Sequence, residues 1–287
     1  MYAAGTIGML AVAFKEALAG MTRRPVLWIP GIFLGLFAFS DLMIEYYWGG
    51  FLAGRLWIVG LIIFPLFIAG MLNAIRKENS GSGSFFREGA KRYFRVLLPT
   101  LIILFAALMT VGLVVVSLSL IGISPGSGIL VLPIFGVIVP FIFFTLFYDT
   151  IAVFEDTRAF ESIRRSIELV LTYPSAVIGF CIVSLLAIAG VSGILLVIWT
   201  GALYTKLEPV ASWNTTQIQE ITAESMVTLL GPGGIWITAA IVACGIILLT
   251  TFFYTFKGCM YRQIVNGTPP MPSMGGEFDE KGRWYKY

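Results

Sequence analysis

Three acidic residues stand near the ends of long apolar stretches, where a charged side chain could have a function. Asp41 and Glu45 lie one helical turn apart in the first stretch, and Asp149 lies at the end of the fourth. Because a charge inside a bilayer is costly, such residues usually pair with another charge or mark a pathway. Asp41 and Glu45 either reach water at the interface or belong to a functional site. Asp149 either forms a structural ion pair, with Arg95 or Arg164 as its partner, or acts in a proton relay.

Five basic residues lie in two corresponding segments of the chain that are predicted to be helical: Arg87, Lys91, Arg95, Arg164 and Arg165. The first three follow one another at four-residue intervals and therefore share one face of a helix. Each exposed basic residue near an anionic leaflet contributes about 1 kcal/mol to membrane attachment. We expect these five side chains to contact acidic lipid headgroups. The alternative interpretation is that they form salt bridges within the protein, chiefly with three carboxylates: Asp149, Glu161 and Glu168.

Composition excludes several kinds of catalytic site. The chain has no histidine and only 3 cysteines, so it cannot use a histidine base, and zinc, haem or iron–sulfur sites are not expected. An intramembrane enzyme would also need a nucleophile beside a base, and no such motif stands out. We therefore predict a protein with no cofactor and no enzymatic activity.

The apolar content predicts a polytopic membrane protein. Hydrophobic residues make up 58% of the chain and charged residues 12%, against roughly 25% charged in a soluble domain. About 20 apolar residues suffice to cross the hydrocarbon core of a bilayer. Six stretches reach this length and are nearly free of charge: 26–44, 56–75, 96–123, 129–148, 174–203 and 235–256.

The basic residues are distributed unevenly among the connections. All of the 19 Lys and Arg residues except Arg55 and Lys206 lie near the termini or in the second and fourth connections. By the positive-inside rule these segments are cytoplasmic, which places both termini in the cytoplasm. We expect a multi-pass protein of the cell membrane of a prokaryote. Its net charge of +3 then serves topology and lipid contact and does not indicate nucleic-acid binding.

A threefold repeat is predicted inside a single membrane domain, 1–265, which precedes a cytoplasmic tail, 266–287. Pro25, Pro99 and Pro174 stand at nearly equal intervals. Because proline suits the first position of a helix, each is expected to begin a hairpin of two spans. The predicted fold is therefore all-α, with six transmembrane helices in three hairpins of like orientation. The three repeats occupy the following segments: 5–80, 81–154 and 155–257.

Each hairpin is preceded by a helix that is predicted to lie along the cytoplasmic membrane surface. Periodicity places these helices at about 6–21, 84–95 and 157–171, the last with Asp156 as its N-cap. The first is mostly Ala and Gly around its larger apolar residues, so it is expected to pack against protein. The alternative is that all three are ordinary cytoplasmic loops with short helical stubs. The larger apolar residues of the first helix fall on one side: Ile7, Leu10, Phe14 and Leu18.

Small and polar residues give three narrower expectations. Gly31 and Gly35 have the spacing of close helix contacts, and we expect them to serve packing within the chain rather than a dimer face. The sequence pattern of the exterior connection, 204–234, predicts a short helix that ends at Gly231 and the proline after it. Asn214 begins an Asn-Thr-Thr sequon on the predicted exterior side. It is either a glycosylation site or an unused sequon.

The run from Glu155 to Val170, EDTRAFESIRRSIELV, carries a resemblance to a known family. It is similar to a signature of a broad family of six-span membrane proteins, which includes the membrane domain fused to some bacterial glycerophosphodiester phosphodiesterases. Segments 23–25 and 86–89 fit the same layout. The resemblance implies the membrane architecture over roughly 5–265 and no activity, because the fused catalytic barrel has no counterpart in this chain.

Two functions compete at this point. A non-enzymatic, homo-oligomeric scaffold or assembly subunit that contacts acidic lipids is favoured by the missing catalytic groups and the basic surface helices. A transporter or channel for a small or lipid-like molecule is the alternative, since internal repeats are common in transporters. Against transport, no span is predicted to be interrupted beside clustered polar groups, and no charge lies clearly at the midplane. The sequence does not identify a protein partner.

Overall fold

The computed structural model describes residues 2–77, 81–122, 131–211, 222–266, 276–278 and 284–286. Helices dominate the described chain, and two short antiparallel strands lie in the tail. The elements follow in this order: α1 (Tyr2–Arg23), a 3₁₀ turn (Pro25–Trp28), α2 (Ile29–Trp48), α3 (Gly50–Lys77), α4 (Ser82–Leu120), α5 (Val131–Phe144), α6 (Tyr148–Phe154), α7 (Ala159–Thr172), α8 (Pro174–Ala202), α9 (Tyr204–Ala211), α10 (Ala223–Asn266), β1 (Gly276–Phe278) and β2 (Trp284–Lys286).

Within the described residues, six helical segments are long and apolar enough to cross a membrane. Each overlaps one of the six stretches predicted from the sequence, which supports a multi-pass membrane protein. The segments are Pro25–Trp48, Gly50–Lys77, Gly83–Leu120, Val131–Phe154, Pro174–Ala202 and Ser225–Val265.

The three repeated prolines do not have the same position in the structure. Pro25 begins the 3₁₀ turn that leads into α2, and Pro174 begins α8, as predicted. Pro99 lies inside α4, so the prediction that it begins a helix is wrong. A proline removes only one backbone hydrogen bond, and this proline is buried. The helix predicted at 84–95 is therefore the first part of α4.

The length of α4 shows where its basic part lies. Its 39 residues make a helix roughly 58 Å long, whereas the hydrocarbon core of a bilayer measures about 30 Å. All charged residues of α4 lie before Val96, and the uncharged stretch from Val96 to Leu120 is long enough to cross the core. The first turns of α4, which carry Arg87, Lys91 and Arg95, therefore extend beyond it. We call this end of the bundle the basic end.

The fourth span is interrupted, contrary to the expectation of continuous spans. Its first part, α5, ends at Phe144, a turn follows, and α6 begins at Tyr148. The hydroxyl of Ser166 in α7 satisfies the interrupted backbone. It donates to the carbonyl of Phe144 at 2.9 Å and accepts from the amide of Phe147 at 3.1 Å.

Asp156 is not the N-cap of α7, because that helix begins at Ala159 and its N-cap is Arg158. Asp156 instead adopts a φ of 56°, in the left-handed region that Asp and Asn tolerate better than most residues. This conformation turns the chain between α6 and α7. The carboxylate is thereby free to make the contacts described below.

The last helix, α10, packs closely against α2 through two glycines. A Cβ on Gly31 would lie 2.6 Å from the carbonyl oxygen of Ile247, and one on Gly35 would lie 2.8 Å from that of Ala243. Neither distance is possible for a real side chain, so only glycine fits. The prediction that these glycines serve packing within the chain is confirmed.

Helix α1 packs against the protein through its small residues. Ala13 and Ala17 are fully buried, whereas Ile7, Phe14 and Leu18 are 68%, 37% and 44% exposed. The small residues allow α1 to lie close to the bundle, and most of the predicted apolar row faces outward.

The predicted exterior helix does not end at Gly231, because the chain is kinked there and continues as the same helix. α10 runs through Gly231, whose φ of 61° and ψ of −180° are not helical. The ammonium group of Lys206 donates to the carbonyl of Leu230 at 2.6 Å, beside this kink. The predicted start of this helix, and Asn214, lie outside the described residues.

Candidate functional site

A buried ion pair joins the fourth and sixth spans near the basic end. The ammonium nitrogen of Lys257 in α10 lies 2.5 Å from a carboxylate oxygen of Asp149 in α6, and their side chains are only 4% and 2% exposed. The backbone amide of Thr150 donates to the same oxygen of Asp149 at 2.6 Å. The pair directly follows the interruption of the fourth span, so it lies where the backbone leaves its helical course.

Aromatic rings surround the ammonium group of this pair. It lies 5.3 Å from the ring centroid of Tyr254, 5.8 Å from that of Phe253 and 6.0 Å from that of Tyr148. The faces of such rings attract a cation, most strongly where water is absent. The hydroxyls of Tyr148 and Thr100 lie 2.7 Å apart and hydrogen-bond to each other. The charge of Lys257 is thus enclosed by one carboxylate and three rings.

The sequence prediction named the wrong partners for Asp149. Arg95 and Arg164, the proposed partners, bind Asp156 and Glu168 instead. Lys257 had been counted among the basic residues of the C-terminal segment. The charge distribution along the sequence indicates the side of the membrane on which Lys257 lies. Whether its side chain is buried depends on how α10 packs against the rest of the bundle.

A second cluster of charges surrounds Asp156 at the surface of the basic end. Its carboxylate accepts hydrogen bonds from Arg76 at 2.8 Å, Arg92 at 2.9 Å and Arg95 at 2.6 Å. Arg76 also donates to the carbonyl of Val153 at 2.9 Å. Three arginines from the second and third spans therefore hold the turn between α6 and α7.

The charge state of Asp156 follows from these contacts. Partial burial opposes ionisation, but the hydrogen bonds from Arg76 and Arg92 outweigh it and lower the pKa of the carboxyl to about 2. Asp156 is therefore ionised at any physiological pH. Because its side chain is 37% exposed, solvent weakens each of these ion pairs.

The preceding residue, Glu155, contacts helices that follow it in the chain. Its carboxylate forms an ion pair with Arg165 of α7 and accepts a hydrogen bond from the hydroxyl of Tyr261 in α10 at 2.6 Å. Adjacent carboxylates thus have partners on opposite sides: Asp156 on α3 and α4, Glu155 on α7 and α10. We call this arrangement the carboxylate clamp. It gives the signature run a structural role.

Glu88 organises the start of α4. It forms ion pairs with Lys77 at 3.6 Å, Lys91 at 3.6 Å and Arg92 at 2.7 Å, and its side chain is 10% exposed. The next residue, Gly89, has no room for a side chain, because a Cβ would lie 2.8 Å from the carbonyl oxygen of Leu66. Segment 86–89 therefore fixes the crossing of α3 and α4.

The five predicted lipid contacts are exposed, and all but one of them are also paired. The side chain of Lys91 is 63% exposed, that of Arg95 43%, that of Arg164 70% and that of Arg165 49%. Arg87 is exposed, and no carboxylate among the described residues lies within salt-bridge distance of it. Both interpretations from the sequence therefore remain open.

The remaining predicted acids lie near the opposite end of the bundle. Asp41 is buried in α2, and one of its carboxylate oxygens has no hydrogen-bond partner within the described residues. Glu45, one turn later, is exposed. The structure does not bring these two acids to the Asp149–Lys257 pair.

A partly open cleft lies at the basic end between α1, the 3₁₀ turn, α3 and α10. Its volume is about 180 Å³, and its floor is formed by buried residues, among them Leu27, Ile75 and Thr255. Arg23 and Arg24 form part of its rim. Glu16, which also lines the cleft, accepts from Arg262 at 3.2 Å and from Gln263 at 3.0 Å. We call this feature the α1 cleft. The sequence did not predict it, because its walls are far apart along the chain.

The described residues contain no cluster of three acidic or cysteine side chains that could hold a metal ion.

Comparison with known proteins gives one match: a family model described as "Domain of unknown function (DUF7847)" matches residues 9–264. No curated protein matches the chain, and no solved structure matches it.

Proposed function

The chain belongs to the DUF7847 family, and from that premise we propose that it is a non-enzymatic scaffold or assembly subunit of the cell membrane. It assembles as a homo-oligomer and contacts acidic lipids with its cytoplasmic face. The exposed surface of α8 carries this proposal. Between Leu185 and Ala202 only four residues of this helix are half-buried, and they form a single row: Ala187, Val191, Leu195 and Trp199. All the remaining positions in this stretch are exposed.

Glycines on this surface support association with a second copy. A Cβ on Gly190 or Gly193 would meet no atom of the described residues within 4 Å. Small residues let two membrane helices approach closely, which is the main source of their attraction in lipid. The glycines of α2 serve that purpose inside the protomer. Those of α8, which are three residues apart instead of four, offer a small-residue surface to a neighbouring copy.

The lipid contact is proposed for the exposed basic side chains of the basic end. Arg87 and Lys91 lie four residues apart on the part of α4 that extends beyond the hydrocarbon core. Neither is enclosed by protein, and an anionic headgroup would add about 1 kcal/mol for each. Arg95, Arg164 and Arg165 can take part in this contact while they keep their ion pairs.

The finer architecture belongs to the same proposal. Both termini and the basic end are cytoplasmic, and the three hairpins are related by rotation about the membrane normal. α1 and α7 lie along the membrane surface, and the start of α4 takes the corresponding place in the second repeat. The resemblance of the Glu155–Val170 run to the membrane domain of glycerophosphodiester phosphodiesterases supports this layout and implies no activity. Cysteine labelling from outside should reach a probe at Gln217 and not one at Ser82.

Native mass spectrometry of the purified protein in detergent tests assembly and lipid retention together. The wild-type protein should appear as an oligomer that retains acidic lipid. Gly193→Leu should shift the oligomer towards monomer, whereas Leu132→Ala, on the exposed surface of α5, should not. Arg87→Gln/Lys91→Gln should lose acidic lipid and keep the oligomer. A wild-type protein that is monomeric at all concentrations would refute the scaffold proposal.

Transport of a small or lipid-like molecule is the second candidate, because one observation favours it. The fourth span is interrupted immediately before the buried Asp149–Lys257 pair, and interrupted helices beside buried charges are typical of transporter binding sites. Reconstitution into liposomes distinguishes the two functions. Lipid exchange between leaflets that depends on Asp149, as judged with Asp149→Asn, would favour the transporter.

A further inference from the structure

The α1 cleft combines features of a binding site that the proposed function does not use. Arg23 and Arg24 line it, and within the described part of the chain no carboxylate lies within salt-bridge distance of either. The third guanidinium of the lining, that of Arg262, is held by Glu16. The lining thus contains three arginines and one carboxylate, an excess of positive charge around a concave surface.

The depth of the cleft matches the level of lipid phosphates. Pro25 is the first residue of the first candidate span, and Lys77 is the last residue of the second. Arg23 and Arg24 directly precede Pro25, and Ile75, which lines the cleft, comes shortly before Lys77. The cleft therefore lies where the hydrocarbon core ends, and phosphate groups of a leaflet lie just outside that boundary.

The surroundings of the cleft suit an amphipathic ligand. Its floor is nearly fully buried and, apart from Thr255, apolar, with Leu27 at 1%, Ile75 at 3% and Cys259 at 4% exposed. A phosphate bound by the arginines would have apolar surface beside it for an acyl chain.

We propose that the α1 cleft binds a phosphate-bearing molecule at the cytoplasmic membrane surface, with Arg23 and Arg24 as the residues that bind the phosphate. Guanidinium groups bind phosphate oxygens through paired hydrogen bonds, which makes arginine the preferred residue for this group. The phosphate belongs either to a lipid headgroup or to a soluble molecule. This inference deepens the lipid-contact part of the proposed function, but its site is distinct from Arg87 and Lys91.

Two variants test the site by independent means. Arg23→Gln/Arg24→Gln removes the charges. Gly20→Leu keeps them and fills the cleft, because a Cβ on Gly20 would lie 3.6 Å from side-chain atoms of both Leu27 and Thr255, in ordinary contact. Leucine also favours a helix more than glycine does, so this variant should fold. Lys15→Gln/Arg158→Gln removes two exposed charges outside the cleft and is the matched control.

Calorimetric titration of the full-length protein in non-ionic detergent uses three probes: dioctanoyl phosphatidic acid, dioctanoylglycerol and inorganic phosphate. Phosphatidic acid should bind to the cleft with one-to-one stoichiometry, measured in the Arg87→Gln/Lys91→Gln background, which lacks the α4 contact. Both cleft variants should weaken it by roughly tenfold or more, since two charge-assisted contacts are lost or obstructed. The control variant should bind as the wild type does, and dioctanoylglycerol should not compete. If inorganic phosphate binds to the wild type and loses this binding in Arg23→Gln/Arg24→Gln, the ligand is a soluble phosphate compound. If inorganic phosphate does not compete with phosphatidic acid, the ligand is the lipid.

Three results would overturn the inference. These are no binding of either phosphate probe to the wild type, equal binding of dioctanoylglycerol, and unchanged binding to a folded Gly20→Leu variant. The last result decides the matter even if the double arginine variant does not fold. Loss of phosphatidic acid only in Arg87→Gln/Lys91→Gln would refute the cleft and leave the proposed function intact. Loss only in the cleft variants would refute the α4 contact and support the cleft.

Discussion

The two ends of the helix bundle hold their helices together by different means. At the basic end, buried side chains from the 3₁₀ turn and from α1, α3, α4, α6, α7, α8 and α10 form two adjoining hydrophobic clusters, and charge clusters tie the helices together. At the opposite end the buried cluster is small and centres on Met43, Leu203 and Ala239. The outer parts of α4, α5 and α8 contact the protomer along narrow faces and expose the rest.

This difference separates stability from association. Helices in lipid gain little from burying apolar surface, because the acyl chains are apolar too. Specific contacts, such as the Asp149–Lys257 pair and the glycine crossing of α2 and α10, must therefore hold the protomer together. The exposed helices of the opposite end can meet lipid or a second copy without affecting the fold. Substitutions at the two ends should accordingly differ in kind.

The largest effect is expected when the buried ion pair loses one partner. Lys257→Met should destabilise the protein by about 3–5 kcal/mol, because it leaves the carboxylate of Asp149 buried without a counterion. Asp149→Asn/Lys257→Met should recover most of this loss. Equilibrium unfolding in mixed micelles measures both. Asp41→Asn is the control and should not destabilise, because this buried acid at the opposite end has no ion pair within the described residues. A double variant as unstable as the single one would contradict this account.

A smaller effect is expected from adding side chains at glycines of the two regions. Gly31→Val would bring a side chain into the backbone of α10 and should cost about 1–3 kcal/mol or more of the free energy of unfolding. Gly193→Val adds the same side chain where nothing lies within 4 Å, and the stability of the protomer should be unchanged. Thermal unfolding of the two variants in the same detergent makes the comparison. Equal melting temperatures would show that α2 and α10 are not in close contact.

The smallest effect concerns the carboxylate clamp and depends on pH. Asn tolerates the left-handed conformation of residue 156, so Asp156→Asn removes the charge alone and should cost about 1 kcal/mol at neutral pH. The pKa is lowered from its ordinary 3.8 to about 2. Its contribution to stability is therefore complete above pH 3.8 and is lost as the pH falls to about 2.

Unfolding experiments between pH 6 and pH 2 measure the stability difference between the wild type and Asp156→Asn. The difference should be constant down to about pH 4 and disappear near pH 2. Other carboxylates titrate in both proteins and cancel in the comparison. A difference that stays constant to pH 2 would mean that Asp156 acts through its backbone conformation and not through its charge.

The sequence predicted what depends on composition and local spacing. The six apolar stretches and the packing of Gly31 and Gly35 are examples, because length, hydropathy and small-residue spacing act within one helix. The partner of Asp149 was not predictable in the same way. Lys257 is 108 residues away, and only the packing of α10 against α6 decides that it is buried there. Asp156 was misread because a residue before a helix is usually its cap, and here it binds three arginines instead.

The carboxylate clamp implies an order in which the protein is assembled during synthesis. The partners of Asp156 precede it in the chain, so this half can form once the first four spans are inserted. The partners of Glu155 on α7 and α10, and Lys257 as the partner of Asp149, are made later. Until α10 enters the membrane, Asp149 lacks its counterion Lys257, and α1 lacks the helix against which most of its contacts are made. The final helix is therefore the closing element, and a nascent chain released before it would expose an uncompensated charge to lipid.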